Sequence, residues 1–568
     1  MGFVWVLGGV DQWRARNGCA GNGSGRWVGR CWLERGGSGF CGAAGRARRR
    51  PPRKVSVRAR TLLATERPQR VVVVGAGMAG MSSAITLLRE YGWDPSRVRI
   101  VEASDAPGGR MRTDRHAGGF LLDRGFQVVV EAYPDQRQLL AGGVDDMAWQ
   151  RLRLQPFMAG ATVRIAPYPH VYVGDPLRSV PSDVLETLRA PFASVGDKAR
   201  VGVARLRAGL LERGRADALL RPWPHSRAPS AASSAMEPTA AEWLQPFSRE
   251  FTGAFFAPFY RGIFLDELSH ISARMFRYIF HMFAVGAAAL PDNGEGIAAL
   301  PQQLARTLRD EFGVSIEYGK RVSALNSFGA QEAVILAVDA ASAADLLDAY
   351  AATGGGQAAT SPSIPAVVRE LRDEAADGRG GERQRVSTCV YFAGDGDVPP
   401  AEAVARPRAL IINADQNADN DRADAKVSRY RLNHICFPSA VARSYAPAGQ
   451  YLVSCTVVET ATPAPLDPLD GDLRPGGPLE QAVRLQLRRW LNDTRLVDSW
   501  RFLRAYRVRG AQPRQRLDNQ PFVRPAESAA LVPGKLYVCG DWCDTPTVNG
   551  AVASGRRAAA ALAADTSA

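Results

Sequence analysis

The residues best suited to chemistry in this chain are three glycines and one acid. Gly75, Gly77 and Gly80 directly follow a run of four valines, and Glu102 stands about 20 residues farther on, after a second apolar run. This spacing allows a tight turn, close approach to a pyrophosphate, and close packing of a helix on a strand. The N–H groups that open the helix would hold the pyrophosphate, and Glu102 would accept hydrogen bonds from an adenosine ribose. The pattern predicts a dinucleotide site; the alternative is a buried β–α–β unit without a ligand.

Two further segments could complete such a site. The glycine pair Gly108-Gly109 would let the backbone pass close to a ligand, and Arg110 and Arg112 are suited to its phosphates. Far along the chain, an apolar run ends at Gly540-Asp541, and a helix is predicted to begin near Asn549.

The start of that helix could direct N–H groups at the electron-rich edge of a flavin ring. Asp541 would bond ribityl or phosphate hydroxyls, and the small residues at 550, 551, 554 and 555 would let the helix lie against the cofactor. Two halves of one nucleotide site so far apart favour FAD over NAD; the alternative is an ordinary strand followed by a helix.

The sequence pattern predicts some of the strands and helices that must position these residues. The valine run predicts a buried parallel strand. Alternating apolar residues predict a mixed or antiparallel second sheet with strands at 386–392, 409–412, 434–437 and 451–458. Apolar periodicity after Pro478 predicts a helix over 478–491.

Residues 247–283 carry 11 aromatic side chains. Phe251, Phe255 and Phe259 fall at helical spacing, as do Phe276, Phe280 and Phe283. Most of these rings are expected to pack in a core; the alternative is that some line an apolar tunnel or a membrane-contacting lip.

Other catalytic machinery is not evident. No hydrolytic triad or metal cluster is apparent, the cysteines have no metal-ligand spacing, and a disulfide framework is not expected. The six histidines fall in unrelated segments and are predicted to be surface or structural residues. No lysine occurs between residues 321 and 425.

Charge is concentrated in the first part of the chain. The 568 residues carry a net charge of +14, but residues 1–70 contain 15 of the basic and only three of the acidic residues. The remainder is nearly neutral, so no nucleic-acid partner is expected. The leader is Gly- and Arg-rich without a long apolar core, which is typical of an organelle transit peptide. We expect the chloroplast; the alternatives are the mitochondrion, or the cytoplasm if the start is over-extended.

The order of GxGxxGxxxA, the strand-ending Glu102, Gly108-Gly109-Arg110 and the segment Gly119–Gln127 resembles the flavin-containing amine oxidase and phytoene desaturase superfamily. The likeness is closest to plastid and cyanobacterial phytoene desaturase-like oxidoreductases. It implies non-covalently bound FAD, with adenine held by backbone bonds at Val322. Many flavin amine oxidases use a mid-chain lysine near the flavin, so its lack here disfavours an amine substrate. The expected cofactor-binding residues are Gly75, Ala76, Gly77, Met78, Ala79, Gly80, Glu102, Ala103, Gly108, Gly109, Arg110, Val322, Gly540, Asp541, Val548, Asn549 and Ala551.

The predicted fold class is α/β: a Rossmann-like FAD-binding domain of the glutathione-reductase type, with a second α+β substrate domain. The leader would occupy 1–66. The FAD-binding domain would comprise 67–139, 285–344 and 501–568, and the substrate domain 140–284 and 345–500.

The predicted function is an FAD-dependent oxidoreductase, desaturase- or isomerase-like, acting on a carotenoid or another apolar isoprenoid. The alternatives are an amine oxidase that uses O2, and a flavoprotein whose FAD is structural or serves a non-redox isomerase. Expected partners are an apolar small molecule and a membrane surface contacted peripherally. The electron acceptor, the catalytic residues and the oligomeric state stay open.

Overall fold

The structure is a computed structural model. It describes residues 68–141, 147–165, 170–211, 216–221, 237–329, 331–353, 363–377, 381–382, 385–415, 430–458, 471–514, 517 and 529–567. These residues belong to one compact unit, Ala64–Ala568. The predicted leader lies outside them.

Twenty strands are present in the described part of the chain. They are β1 Arg70–Val74, β2 Val98–Val101, β3 Thr113–Arg115, β4 Leu121–Asp123, β5 Val129–Val130, β6 Gln155–Pro156, β7 Gly160–Arg164, β8 Val171–Gly174, β9 Ala288–Leu290, β10 Ile316–Glu317, β11 Glu332–Leu336, β12 Ala376–Asp377, β13 Gly381–Glu382, β14 Ser387–Asp395, β15 Leu410–Asn413, β16 Leu432–Cys436, β17 Gln450–Val458, β18 Arg501–Val508, β19 Ala530–Val532 and β20 Leu536–Val538.

The α-helices of the described residues connect and cover these strands. They are α1 Met78–Arg89, α2 Pro134–Ala141, α3 Met147–Gln150, α4 Pro181–Arg189, α5 Val195–Leu206, α6 Ala216–Leu219, α7 Ala240–Trp243, α8 Arg249–Phe251, α9 Ala257–Phe264, α10 Ala273–Val285, α11 Ala299–Phe312, α12 Ala340–Ala352, α13 Ser363–Ala375, α14 Pro438–Val441, α15 Pro478–Leu491, α16 Thr494–Ser499 and α17 Val548–Ser567. Turns of π-helix lie at Arg207–Leu211 and Thr252–Phe256, and 3-10 turns at Pro95–Arg97, Leu268–His270, Gly296–Ala298, Leu325–Ser327, Arg443–Tyr445, Gly471–Leu473 and Asp541–Cys543.

The first sheet has the strand order β10-β2-β1-β11-β20-β19 and is parallel except for β19. Its central strand β1 buries all four valines, as expected for a strand covered on both faces. Helices α1, α11 and α17 pack on one face, and α12 and α13 cover the other. The predicted Rossmann-like α/β fold is confirmed.

The second sheet has seven strands in the order β18-β14-β17-β16-β15-β7-β8. It is antiparallel except for the parallel pair β15 and β7. The predicted mixed sheet and its four predicted strands are confirmed, as is the helix α15, which starts at Pro478 and ends at Leu491. Small sheets form from β3 and β4, from β5, β9 and β6, and from β12 and β13.

The chain changes sheets at positions that differ from two predicted boundaries. Helix α13 was assigned to the second domain by the boundary at residue 345, but it packs on the first sheet through Ile364, Val367 and Leu371. Strand β18 was assigned to the FAD-binding domain, but it pairs with β14 in the second sheet. Both errors arise because a buried helix or strand has the same apolar pattern whichever sheet it joins.

Candidate functional site

The glycine turn after β1 can be formed by few residues other than glycine. Gly75 has φ +107°, and a Cβ there would lie 2.5 Å from the carbonyl oxygen of Ala337. A Cβ on Gly80 would lie 2.0 Å from the Gly75 oxygen. The first and third glycines therefore serve the tight turn and the close packing of α1 on the sheet.

Gly77 has a different environment. A Cβ at this position would meet nothing within 4 Å, and Gly109, directly opposite, would place its Cβ 3.8 Å from the Gly77 Cα. Helix α1 starts immediately after Gly77 without a side-chain cap and without an acidic residue in its first turn. The open space between the two glycines thus meets an uncapped helix N-terminus, which favours an anion.

Glu102 directly follows β2, and its carboxylate is held by hydrogen bonds to the main chain. Its carboxylate accepts hydrogen bonds from Ala76 N at 2.7 Å, and from Ser104 N at 2.8 Å and Ser104 Oγ at 2.7 Å. A carboxylate offers about four acceptor directions, so it can also accept a hydroxyl. The acid is therefore fixed beside the glycine turn, where an adenosine ribose would need it.

Arg110 connects the two ends of the chain. Its Nη2 lies 2.7 Å from Asp541 Oδ1, and its Nη1 donates to the carbonyl oxygens of Gly510 and Ala511. Attraction to Asp541 raises the pKa of this guanidinium above its ordinary value. Arg112, predicted as a phosphate ligand, instead pairs with Asp105 at 2.8 Å and does not line the cavity described below.

The small residues of helix α17 contact other segments of the protein. A Cβ on Gly555 would lie 2.2 Å from the Ala79 oxygen, and one on Gly550 would lie 2.1 Å from the Thr545 oxygen. Ser554 Oγ accepts a hydrogen bond from Gly540 N at 3.0 Å. The expectation that residues 550, 554 and 555 are small because of the cofactor is therefore wrong; they allow close backbone packing. Of the small residues at 550, 551, 554 and 555, only Ala551 lines the cavity described below.

These segments enclose a cavity of about 670 Å³. All of the predicted cofactor residues line it except Ala76, Gly80 and Asn549. Ala76 and Gly80 build the turn beneath it. Asn549 was predicted to contact the cofactor, but its Oδ1 accepts from the main-chain N atoms of Asp135 and Gln136, so its side chain caps α2 instead.

The residues that line the cavity suit a flavin dinucleotide. It runs from Glu102, Lys320 and Val322 past Gly77 and Arg110 to Thr547 and Val548. The main chain of Val322 makes no hydrogen bond to the described residues, so it is available to a base. The volume of this cavity, about 670 Å³, lies within the range of about 300–1,000 Å³ usual for ligand pockets.

A second cavity of about 380 Å³ adjoins the first. Six phenylalanines of the aromatic segment and of α10 contribute to its wall: Phe251, Phe255, Phe256, Phe259, Phe280 and Phe283. Phe276 is instead fully buried in the core. Some rings of this segment therefore line an apolar cavity, while others pack in the core.

The two cavities share part of their walls. Phe126, Val128, Gly262, Ile263, Phe283 and His434 line both. His434 was predicted to be a surface or structural residue; it is buried, and burial lowers its pKa to about 3. Strand alternation indicated its position in β16 but could not indicate that this face borders a cavity.

Other features of the described residues add no further site. No group of three or more His, Cys, Asp or Glu side chains within them could hold a metal ion. Their five cysteines are buried free thiols: Cys389, Cys436, Cys455, Cys539 and Cys543. No helix in the described part of the chain is long and apolar enough to cross a membrane.

Comparison with known proteins agrees with this arrangement. A family profile, "Flavin containing amine oxidoreductase", matches residues 78–563. An L-amino-acid oxidase of Crotalus adamanteus is 50% identical over 54 residues, which is 10% of this chain and 10% of that protein. The chain therefore matches only a tenth of the length of that curated relative.

Solved structures share the fold over most of their length. An oxidoreductase from Methanosarcina mazei has a TM-score of 0.55 at 15% identity, covering 86% of this chain and 98% of that one. Cyclohexylamine oxidase from Brevibacterium oxydans IH-35A has a TM-score of 0.52 at 15% identity, covering 88% and 100%. At this level of identity the likeness establishes the fold alone.

Proposed function

The chain belongs to the flavin containing amine oxidoreductase family, and we propose that it is an FAD-dependent oxidoreductase acting on a carotenoid or another apolar isoprenoid. The observation that carries the proposal is the junction of the two cavities. The cavity that would hold the nucleotide and the cavity lined by phenylalanines have six lining residues in common, so the two spaces are adjacent. An apolar molecule in the second cavity would therefore lie next to a cofactor in the first.

FAD would be held without a covalent bond. Glu102 would hold the adenosine ribose, the N-terminus of α1 the pyrophosphate, and Val322 the adenine. Asp541 is oriented by Arg110 and would meet the ribityl side. Bound FAD supplies the ability to accept a hydride or its equivalent from a carbon atom. The residues described here would bind and orient the cofactor and the substrate.

A membrane surface is the proposed source of the substrate. Helix α5 contributes Val201, Gly202 and Arg205 to the apolar cavity wall. The same helix and the residues after it expose apolar side chains, with Val195 61%, Val203 64% and, just beyond the helix, Leu210 63% accessible. The exposed Arg189 and Arg207 are near these residues in the sequence, and basic residues beside an apolar stripe favour an interfacial position on anionic lipid. We extend the proposal to peripheral association inside a plastid.

Ligand extraction tests the substrate class. The full chain would be purified from a pigment-producing host, and its ligands would be extracted and analysed by mass spectrometry. We expect FAD together with a carbon-rich apolar molecule. Phe259→Glu places a carboxylate in the apolar wall and should abolish recovery of that molecule while FAD is retained. Tyr91→Glu, at an exposed tyrosine, is the matched control.

Reoxidation separates the alternatives. The flavin would be reduced anaerobically and then exposed to air. Slow reoxidation is expected, whereas rapid reoxidation with turnover of small amines would support an amine oxidase instead. FAD that resisted reduction altogether would overturn the oxidoreductase proposal.

A further inference from the structure

A β-bulge brings two polar residues together at the junction of the cavities. Between β16 and β17, Leu432 pairs with Val457, but the next pair is His434 with Thr456, so Asn433 is an extra residue on β16. Bulges redirect side chains and are common beside active sites. Both Asn433 and His434 are buried as a result.

The hydrogen bonds of Asn433 determine the tautomer of His434. Asn433 Nδ2 donates to the Pro258 carbonyl oxygen at 3.1 Å, which identifies this atom as the amide nitrogen. The same Nδ2 lies 3.0 Å from His434 Nδ1. Nδ1 must therefore accept, and in a neutral imidazole the proton is then carried by Nε2. Burial lowers the pKa of this side chain to about 3, so the ring is neutral at physiological pH.

The surroundings preserve this arrangement. A Cβ on Gly262 would lie 2.7 Å from Asn433 Nδ2 and 3.0 Å from His434 Nδ1, so only glycine leaves room for the pair. The Phe126 ring meets the imidazole edge-on, with centroids 4.8 Å apart. The remaining polar atom, His434 Nε2, is buried and has no hydrogen-bond partner among the described residues.

A buried N–H without a partner is unfavourable, and the side chain that carries it lines both cavities. We infer that His434 is a specificity-determining residue whose Nε2–H donates a hydrogen bond to an oxygen atom of the substrate where the two cavities meet. The inference rests on the proposed apolar substrate and narrows its class. The substrate is an isoprenoid that carries a carbonyl or hydroxyl oxygen, since a plain hydrocarbon would leave the donor unpaired.

The test uses a matched pair of probes. β-Ionone, an apolar ketone, and the hydrocarbon of the same skeleton without the oxygen would be titrated into the FAD-loaded protein, with flavin absorbance as the readout. We expect the ketone to bind about tenfold more tightly, the effect of one buried hydrogen bond. Infrared difference spectra of carbonyl-labelled β-ionone should show a downshifted stretch in the complex.

Three variants identify the donor. His434→Phe keeps the ring but should weaken ketone binding to the level of the hydrocarbon and abolish the carbonyl downshift. His434→Gln, which can place an amide donor near the Nε2 position, should restore part of both effects. His281→Phe is the control, because this buried histidine bonds the Ala208 oxygen and lines neither cavity. FAD content reports folding of each variant.

The outcomes separate the two levels of the proposal. Equal binding of both probes by the unaltered protein, or equal loss of both in His434→Phe, would overturn the role of His434 and leave the apolar substrate standing. Failure of both probes to perturb the flavin in the unaltered protein would overturn the apolar substrate, and this inference with it.

Discussion

The two cavities described above are lined by different kinds of residue. The nucleotide cavity is lined in part by the glycine turn, the Gly108-Gly109 pair and the starts of α1 and α17, where the main chain can approach a ligand. The apolar cavity is lined in part by a cluster of phenylalanine side chains, six of them from residues 247–283. A site made of backbone depends on the few residues that permit its conformation, whereas a site made of side chains can be altered without changing the fold.

The largest expected effect separates the cavities most clearly. Glu102→Arg should lower the FAD-to-protein ratio of the purified protein at least about tenfold, because the variant loses the acceptor of Ala76 N and Ser104 and adds a cation. Glu311→Arg, at an exposed ion pair with Arg89, is the control and should retain FAD. Stoichiometric flavin in Glu102→Arg would refute the position assigned to the ribose.

Substitution of two glycines in the same turn should affect different properties, stability in one case and FAD binding in the other. Gly80→Ala places a Cβ 2.0 Å from the Gly75 oxygen and should reduce the free energy of unfolding by about 1–3 kcal/mol. Gly77→Ala meets no protein atom and should change the stability of the FAD-free protein by less than about 0.5 kcal/mol, while weakening FAD binding. Urea unfolding and flavin titration measure the two effects. Equal losses of stability would contradict the distinction.

A smaller effect is expected at the far end of the nucleotide cavity. Asp541→Ala removes the carboxylate that pairs with Arg110, but Arg110 keeps its bonds to the Gly510 and Ala511 carbonyls. FAD affinity, measured by fluorescence titration, should fall less than in Glu102→Arg. A complete loss of FAD would show that this pair, and not the glycine turn, dominates cofactor binding.

The smallest expected effect at neutral pH is that of His434, where the two cavities meet, on the stability of the protein. The pKa of His434 is about 3 in the folded protein and about 6.5 when unfolded. Between these values the unfolded chain binds one more proton, so stability falls as pH decreases, by up to about 1.4 kcal/mol per pH unit. His434→Phe should remove this contribution and flatten the acid limb of stability plotted against pH. An unchanged acid limb would show that His434 does not titrate as a buried group.

The same contrast explains what the sequence could predict. Gly75, Gly80 and Glu102 were legible because a backbone turn restricts residue type at defined spacings. The positions of Phe259 and His434 beside a cavity were not, because an apolar or alternating pattern records burial without distinguishing a cavity wall from a packed core. Asn549 was misassigned for a related reason: an asparagine at a helix start can cap its own helix, a neighbouring helix or a ligand.

The attachment of α17 to α1 also sets an order of events during synthesis. Ser82 Oγ bonds the Val552 carbonyl oxygen across 470 residues of sequence, and Gly555 packs on Ala79. The first glycine turn therefore leaves the ribosome long before the helix that completes its surroundings. The cavity that we propose for the cofactor is therefore complete only after that late segment has joined α1, and until then the N-terminal half exposes apolar surface that favours aggregation.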